Sequence, residues 1–404
     1  MNDDDTEKIK ILLITPDIYP FQRGYGGRNP IQIYNTLTSM GYIVKIIASV
    51  PDNELDQAEI KSLPKNVEIL TLNTSSILSK DFSYLLPPHF SEIKRLRSIF
   101  LHEKYDLVIL NDFIWSLSFL SIILMGKMNR KKTIMINHGI ITRRKFLFNI
   151  MLNFFNAFMS RVILTDFVGI ISYSNKSFEE LNELLPRGMM HVVHPLCIDI
   201  PKFVIDYKNS FINSSLDTNN KFGIYSEFIF SIGTISYHKG YIVLIKAFHS
   251  LLNIFPNIIL VIAGNITPYT EELIDFSTNL GIASKVRFIG AITDSEKFFL
   301  MRSCTVFVVP SLKEGFGASA MEADVLEIKI VATDTGAHRE ILSGNKFARI
   351  SEPGNENDLY KAIIELTSLL DTPSKRLNVE KLDKYSCDSL CSFIISIYKK
   401  TDQK

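Results

Sequence analysis

The sequence predicts an α/β protein built from two doubly wound parallel sheets, on three observations. Its 404 residues exceed the usual size of one domain. In both halves, short β-branched runs alternate with helical patterns, as strands buried beneath helices do. Between the halves, residues 206–221 (DYKNSFINSSLDTNNK) are rich in Asn, Ser and Asp, a composition expected of a surface loop or linker.

Taken in order, the first half offers strands at 9–15, 44–49, 67–72, 106–111, 133–137 and 169–174. The second offers 228–234, 257–263, 286–289, 305–310 and 329–333. Apolar residues make up 46% of the chain, enough for two cores, and the net charge of +1 excludes a general nucleic-acid binder. The acidic start MNDDDTEKIK lacks the basic region and cleavable apolar stretch of a secretory signal. Without CxxC spacing, the four cysteines read as reduced, mostly buried thiols of a cytoplasmic protein. No apolar run reaches the length that spans a bilayer.

Ligands of doubly wound sheets sit beyond the carboxyl ends of the strands, so the loops there carry the candidate chemistry. After the first strand, Gly26 and Gly27 precede Asn29, an expected N-cap, and Pro30, suited to a first helical turn. Such a glycine pair lets backbone approach an anion at a helix N-terminus; an ordinary turn is the alternative. His138 follows the strand 133–137 beside Gly139, where it either meets ligand or serves structure.

In the second half, Gly233 permits a tight exit from its strand, and Lys239 before Gly240 offers a cation to a diphosphate. The plainer reading of Lys239 is a solvated loop residue. The most informative segment is PSLKEGFGASAMEA, residues 310–323, in which glycine-rich sequence opens a helix after a strand. Amides around Gly317, Ala318 and Ser319 would then face a bound phosphate. Glu314 precedes this turn and can reach sugar hydroxyls, and Glu322 within the helix suits two ribose hydroxyls. Capping by Glu314 and solvent exposure for Glu322 are the alternatives.

This segment resembles the Glu-x7-Glu motif of glycosyltransferase family 4. The likeness runs through the Gly26-Gly27 loop, NHG at 137–139, ISYSNKSFEEL at 170–181, GTISYHKG at 233–240, LVIAG at 260–264, VRFIGAIT at 286–293 and EGFGASAME at 314–322. The resemblance implies the GT-B fold, two Rossmann-like domains facing across a cleft: an acceptor domain at 1–205 and a donor domain at 222–385. Residues 386–404 would form a last helix crossing back to the first domain. It implies a retaining, metal-independent transfer from a nucleotide-diphosphate sugar to a glycan or lipid-linked acceptor. By the same likeness Lys239 holds the diphosphate with Gly233 and Thr234 beside it, Glu322 holds the ribose, and Ile292 lines the base pocket. Glu314 and His138 face the donor sugar from opposite domains.

The chain departs from the family pattern at Thr234, where an arginine is common, at Glu327 and Lys329, where glycine and proline are common, and at Arg339, where proline is usual. Leu196-Cys197 replaces the customary Asn-Gly. These departures leave two further readings, a catalytically degenerate GT-B subunit acting as a scaffold, and a nucleotide-sugar epimerase. Finally, residues 113–165 contain no Asp or Glu but eight Lys or Arg, in part as clusters around Lys131-Lys132 and Arg143-Arg144, followed by the apolar stretch 146–159. That pattern suits a peripheral position on the anionic inner face of a membrane, or an apolar stretch packed in the core flanked by solvated loops.

Overall fold

The structure is a computed structural model. It describes residues 9–16, 18, 25–51, 56–61, 63–72, 89–112, 116–138, 166–182, 185, 188–212 and 220–402. The chain divides into two compact units. One comprises Met1–Ile198 with Tyr385–Lys404, the other Asp199–Lys384.

The first unit is built on a seven-stranded sheet in the order β3-β2-β1-β4-β5-β6-β7. Its strands are β1 (Lys10–Thr15), β2 (Ile43–Pro51), β3 (Val67–Leu72), β4 (Leu107–Asn111), β5 (Thr133–Asn137), β6 (Gly169–Ser172) and β7 (His191–Val193). All pairings are parallel, β1 lying between β2 and β4. A parallel sheet covered on both faces needs continuous apolar strands; accordingly β4, β5 and β6 are buried at every position.

The second unit repeats the plan with six parallel strands in the order β10-β9-β8-β11-β12-β13. These are β8 (Phe228–Ile232), β9 (Ile259–Ala263), β10 (Val286–Phe288), β11 (Val306–Val309), β12 (Ile330–Thr333) and β13 (Ala348–Ser351). Its core packs Leu244, Phe248, Leu260, Ile262, Val308 and Ile363 between sheet and helices. In each sheet the strand order reverses beside the first strand, between β1 and β4 and between β8 and β11, the switch points where such folds bind ligands.

All eleven expected strands are present with ends within two residues of those read from the sequence; β7 and β13 are additional. The loop expected at 206–221 is corrected. Ile200–Ile212 is a helix, and the expected boundary at 205 falls inside it. The chain passes to the second unit after Ile198 and returns at Tyr385. Phe203, Tyr207 and Ser210 form its buried face, at the i, i+4, i+7 spacing of one helical stripe. That stripe packs on the helix Asp294–Ser303, with Phe203 and Phe298 rings 4.7 Å apart and Arg302 donating to Ser210 Oγ at 3.0 Å. Residues 213–219 lie outside the described residues.

Candidate functional site

In the second unit the loops after β8 and β11 are tied together by backbone bonds. The amides of Leu312 and Lys313 both donate to the carbonyl of His238, at 2.8 and 3.3 Å. Gly240 takes a left-handed conformation, φ 69°, and a Cβ there would run into the carbonyl of Pro310. Only glycine lets the two loops meet this closely.

This juxtaposition carries Lys239 to Glu314. Their ammonium and carboxylate are 2.6 Å apart, with side chains 22% and 12% exposed, and Ser311 Oγ donates to the same Oε1 at 2.7 Å. Burial works to raise the Glu314 pKa, but the charge of Lys239, the nearby His338 and both hydrogen bonds together hold it below the ordinary carboxylate value. Glu314 is thus a largely buried, ionised acid, and the helix that follows is capped by Gly317 instead.

Gly317, at φ 103°, is the N-cap of the helix Ala318–Val325. Its carbonyl accepts from Ala320 and Met321, while helix geometry leaves the amides of the first turn, Ala318 and Ser319 among them, without intrahelical acceptors. The positive end of the helix therefore opens next to the Lys239–Glu314 pair. Beneath it lies His338, fully buried. Its Nδ1 donates to the carbonyl of Thr333 at 2.8 Å, so Nε2 carries the lone pair; among the described residues Nε2 has no hydrogen-bond partner. Burial lowers the His338 pKa, against the opposing pull of Glu314. A Cβ at Gly317 would collide with this ring.

Glu322 is 2% exposed, so the solvent-exposed alternative is corrected. Lys297 Nζ lies 2.5 Å from its Oε1 and 3.0 Å from Asp294 Oδ1. Burial opposes the charge on Lys297, but Glu322 and Asp294 outweigh it and raise its pKa. Ile292 is half-buried in the loop after β10, two residues before the helix Asp294–Ser303. Gly233 is half-buried and Thr234 exposed at the end of β8. Gly233, Lys239, Glu314, Gly317 and His338 thus all lie beyond the carboxyl ends of β8, β11 and β12. Sequence reasoning missed Lys297 and His338. Their signals were a lysine directly before the apolar run FFLM and the histidine in GAHRE.

His138 and the glycine pair belong to the first unit. His138 follows β5, where its Nε2 donates to Asn111 Oδ1 at 2.7 Å and its ring stands edge-on to Tyr173, 4.8 Å between centroids. Asn111 in turn donates to Thr15 Oγ1 at 3.2 Å, so the ends of β1, β4 and β5 converge on one polar cluster. Burial lowers the His138 pKa, against the charge of Asp112, which favours a neutral ring with Nδ1 as the lone-pair nitrogen. The expected helix start is corrected: the helix is Tyr25–Ser39, so Gly26 and Gly27 occupy its first turn. Asn29 is no cap. It is buried, accepts from Tyr173 Oη at 2.8 Å and donates to the carbonyl of Cys197 at 3.3 Å.

Of the clustered basic residues, Arg130 pairs with Asp166 at 3.1 Å and Lys132 donates to the Tyr105 carbonyl, whereas Lys127 and Lys131 are exposed. Arg143, Arg144 and the stretch 146–159 lie outside the described residues. Among the described residues no helix is long and apolar enough to cross a membrane.

Comparison with known proteins bears on the second unit first. Residues 218–380 match the family described as Glycosyl transferases group 1. The chain is 29% identical over 149 residues to the lipopolysaccharide core biosynthesis mannosyltransferase LpsB of Rhizobium meliloti, covering 36% of this chain and 40% of that protein. It is 26% identical over 164 residues to the phosphatidyl-myo-inositol mannosyltransferase of Mycobacterium leprae, covering 40% and 43%. These matches span only about two fifths of the curated relatives. Over the whole fold, a glycosyltransferase from Rickettsia africae superposes with a TM-score of 0.71 at 19% identity, covering 98% of this chain and 99% of that one. The match to the group 1 glycosyl transferases thus falls within the second unit, and the two Rossmann-like sheets are those of the GT-B fold.

Proposed function

We propose that the protein is a retaining, metal-independent glycosyltransferase that moves a hexose from a nucleotide-diphosphate donor to a glycan or lipid-linked acceptor. The observation that carries this reading is the partly buried Lys239–Glu314 pair at the open N-terminus of Ala318–Val325. Lys239 and the amides of residues 317–319 receive the donor diphosphate and stabilise the charge that develops as it leaves. In doing so Lys239 exchanges part of its contact with Glu314 for phosphate, which frees the Glu314 carboxylate to face the sugar. Glu322, held by Lys297, accepts the ribose hydroxyls, and Ile292 lines the base pocket. Gly233 and Thr234 border the phosphates, and Gly26 and Gly27 let backbone approach the donor from the first domain. His138, on the same domain, serves the sugar.

The names of the relatives make a mannosyl donor the first to test and a lipid-linked glycan a natural acceptor class. The protein would act in the cytoplasm, docked peripherally on the inner membrane face, with no nucleic-acid partner. The test is a panel of nucleoside diphosphate sugars followed by calorimetry and by donor hydrolysis, with and without EDTA. One donor should bind and be slowly hydrolysed in EDTA, and both should weaken in Lys239→Ala. Interconversion of the sugar would identify an epimerase, and failure to bind any donor a scaffold subunit. Loss of activity in EDTA with rescue by manganese would overturn the metal-free chemistry.

A further inference from the structure

We propose that Cys197 and Cys387 are a disulfide-forming pair, an oxidation site that links the two segments through which the chain leaves the first unit and returns to it. Both are cysteine thiols and both are buried. Their Sγ atoms are 2.6 Å apart although 190 residues separate them in sequence. That separation exceeds a covalent sulfur–sulfur bond by only about half an ångström.

The neighbouring backbone holds the sulfurs together. Ile198 and Ser386 form a parallel β-bridge, and the amide of Ile198 donates to the carbonyl of Tyr385 at 2.8 Å. The other two thiols are placed differently. Cys304 lies in the second unit and donates to the Met301 carbonyl, and burial pushes its pKa up to about 12. Cys391 lies one helical turn beyond Cys387, its Sγ directed at the Ile33 carbonyl at 3.9 Å.

The reaction needs a low-molecular-weight disulfide as oxidant. One protein thiolate attacks it, forming a mixed disulfide and expelling one small thiolate. The second protein thiolate then attacks the protein sulfur of that intermediate, forming the Cys197–Cys387 bond and expelling the second small thiolate. The two protons lost by the cysteines go to the two expelled thiolates, so the oxidant is reduced by two electrons and the protein oxidised by two. The pair also adjoins the contacts around His138. Asn29 Nδ2 lies 3.2 Å from Cys197 Sγ, and Asn29 accepts from Tyr173, whose ring meets His138.

The full chain should be equilibrated with graded mixtures of reduced and oxidised glutathione, quenched in acid, alkylated, digested and mapped by mass spectrometry without reduction. The expected result is one linked peptide pair, Cys197 to Cys387, with loss of two hydrogens from the intact mass and full reversal by dithiothreitol. Cys304 and Cys391 should both carry the alkyl label. Cys387→Ser should abolish the link while circular dichroism reports an unchanged fold. Alkylation of both Cys197 and Cys387 at the most oxidising ratio would overturn the assignment. So would mixed glutathione adducts that never close, or a Cys197–Cys391 link.

Discussion

Replacing Lys297 by methionine keeps the length of the side chain and removes its charge. Glu322, 2% exposed, then loses the ammonium 2.5 Å from its Oε1, and Asp294 loses its contact at 3.0 Å. Water cannot replace the cation at these depths, so little screening discount applies. Breaking a buried ion pair from one side costs about 3–5 kcal/mol because the remaining charge is uncompensated. For a domain of this size that is a fall of roughly 6–20 °C in melting temperature. Glu322→Gln should destabilise comparably, by stranding the ammonium, and should weaken nucleotide binding roughly 10- to 150-fold through a lost charge-assisted hydrogen bond. The double variant Lys297→Met/Glu322→Gln should recover much of the stability but none of the affinity, the signature of direct coupling. Urea unfolding followed by far-UV circular dichroism reads the stability, since the single tryptophan, Trp115, belongs to the first unit. Single variants within experimental error of wild type would show that the pair is not a buried, coupled one.

Three further outcomes are expected. Gly317→Ala forces a Cβ into His338 at φ 103° and should cost about 1–3 kcal/mol of backbone strain; an unchanged urea midpoint would refute the packing described here. Burial pushes His191 down to about 4 from an ordinary 6.5, so the folded first unit resists a proton that the unfolded chain accepts. Its contribution is present above pH 6.5 and is lost as pH falls toward about 4. His191→Gln should flatten this part of the melting-temperature profile, and an unaltered slope would assign the acid sensitivity elsewhere. For the membrane, each basic residue near an anionic surface contributes on the order of 1 kcal/mol. The variant Lys131→Ser, Lys132→Ser, Arg143→Ser, Arg144→Ser should therefore stop sedimenting with anionic vesicles at low salt. Equal binding by variant and wild type, or none by either, counts against docking.

The strands were legible because a parallel sheet demands continuous apolar runs, which stand out in a sequence of otherwise amphipathic helices. The strands β7 and β13 did not stand out. They are short and partly exposed, and ARIS carries an arginine. The helix Ile200–Ile212 was hidden by its Asn- and Ser-rich continuation, which outweighed the stripe Phe203, Tyr207, Ser210. Asn29-Pro30 imitates a helix start by local chemistry, yet Asn29 is claimed by Tyr173 across 144 residues, a partner no local rule reveals. The site shows the same limit. Lys239, Glu314 and Glu322 were visible as motif residues, but the bond between the first two joins positions 75 apart. The roles of Lys297 and His338 arise wholly from burial, and burial is a property of the assembled unit.

The helix Cys387–Asp402 belongs to the first unit and packs on Tyr25–Ser39, burying Leu390, Cys391 and Ile394. On the ribosome this imposes an order. The second unit is one uninterrupted stretch and can close as soon as it emerges. The first must wait with the face of Tyr25–Ser39 uncovered while Asp199–Lys384 is made, about 10–40 s at ordinary elongation rates. Only when Cys387–Asp402 emerges can that apolar face be covered. The first unit, begun before the second, is therefore completed after it, and this is the interval in which a nascent-chain chaperone would have most to protect.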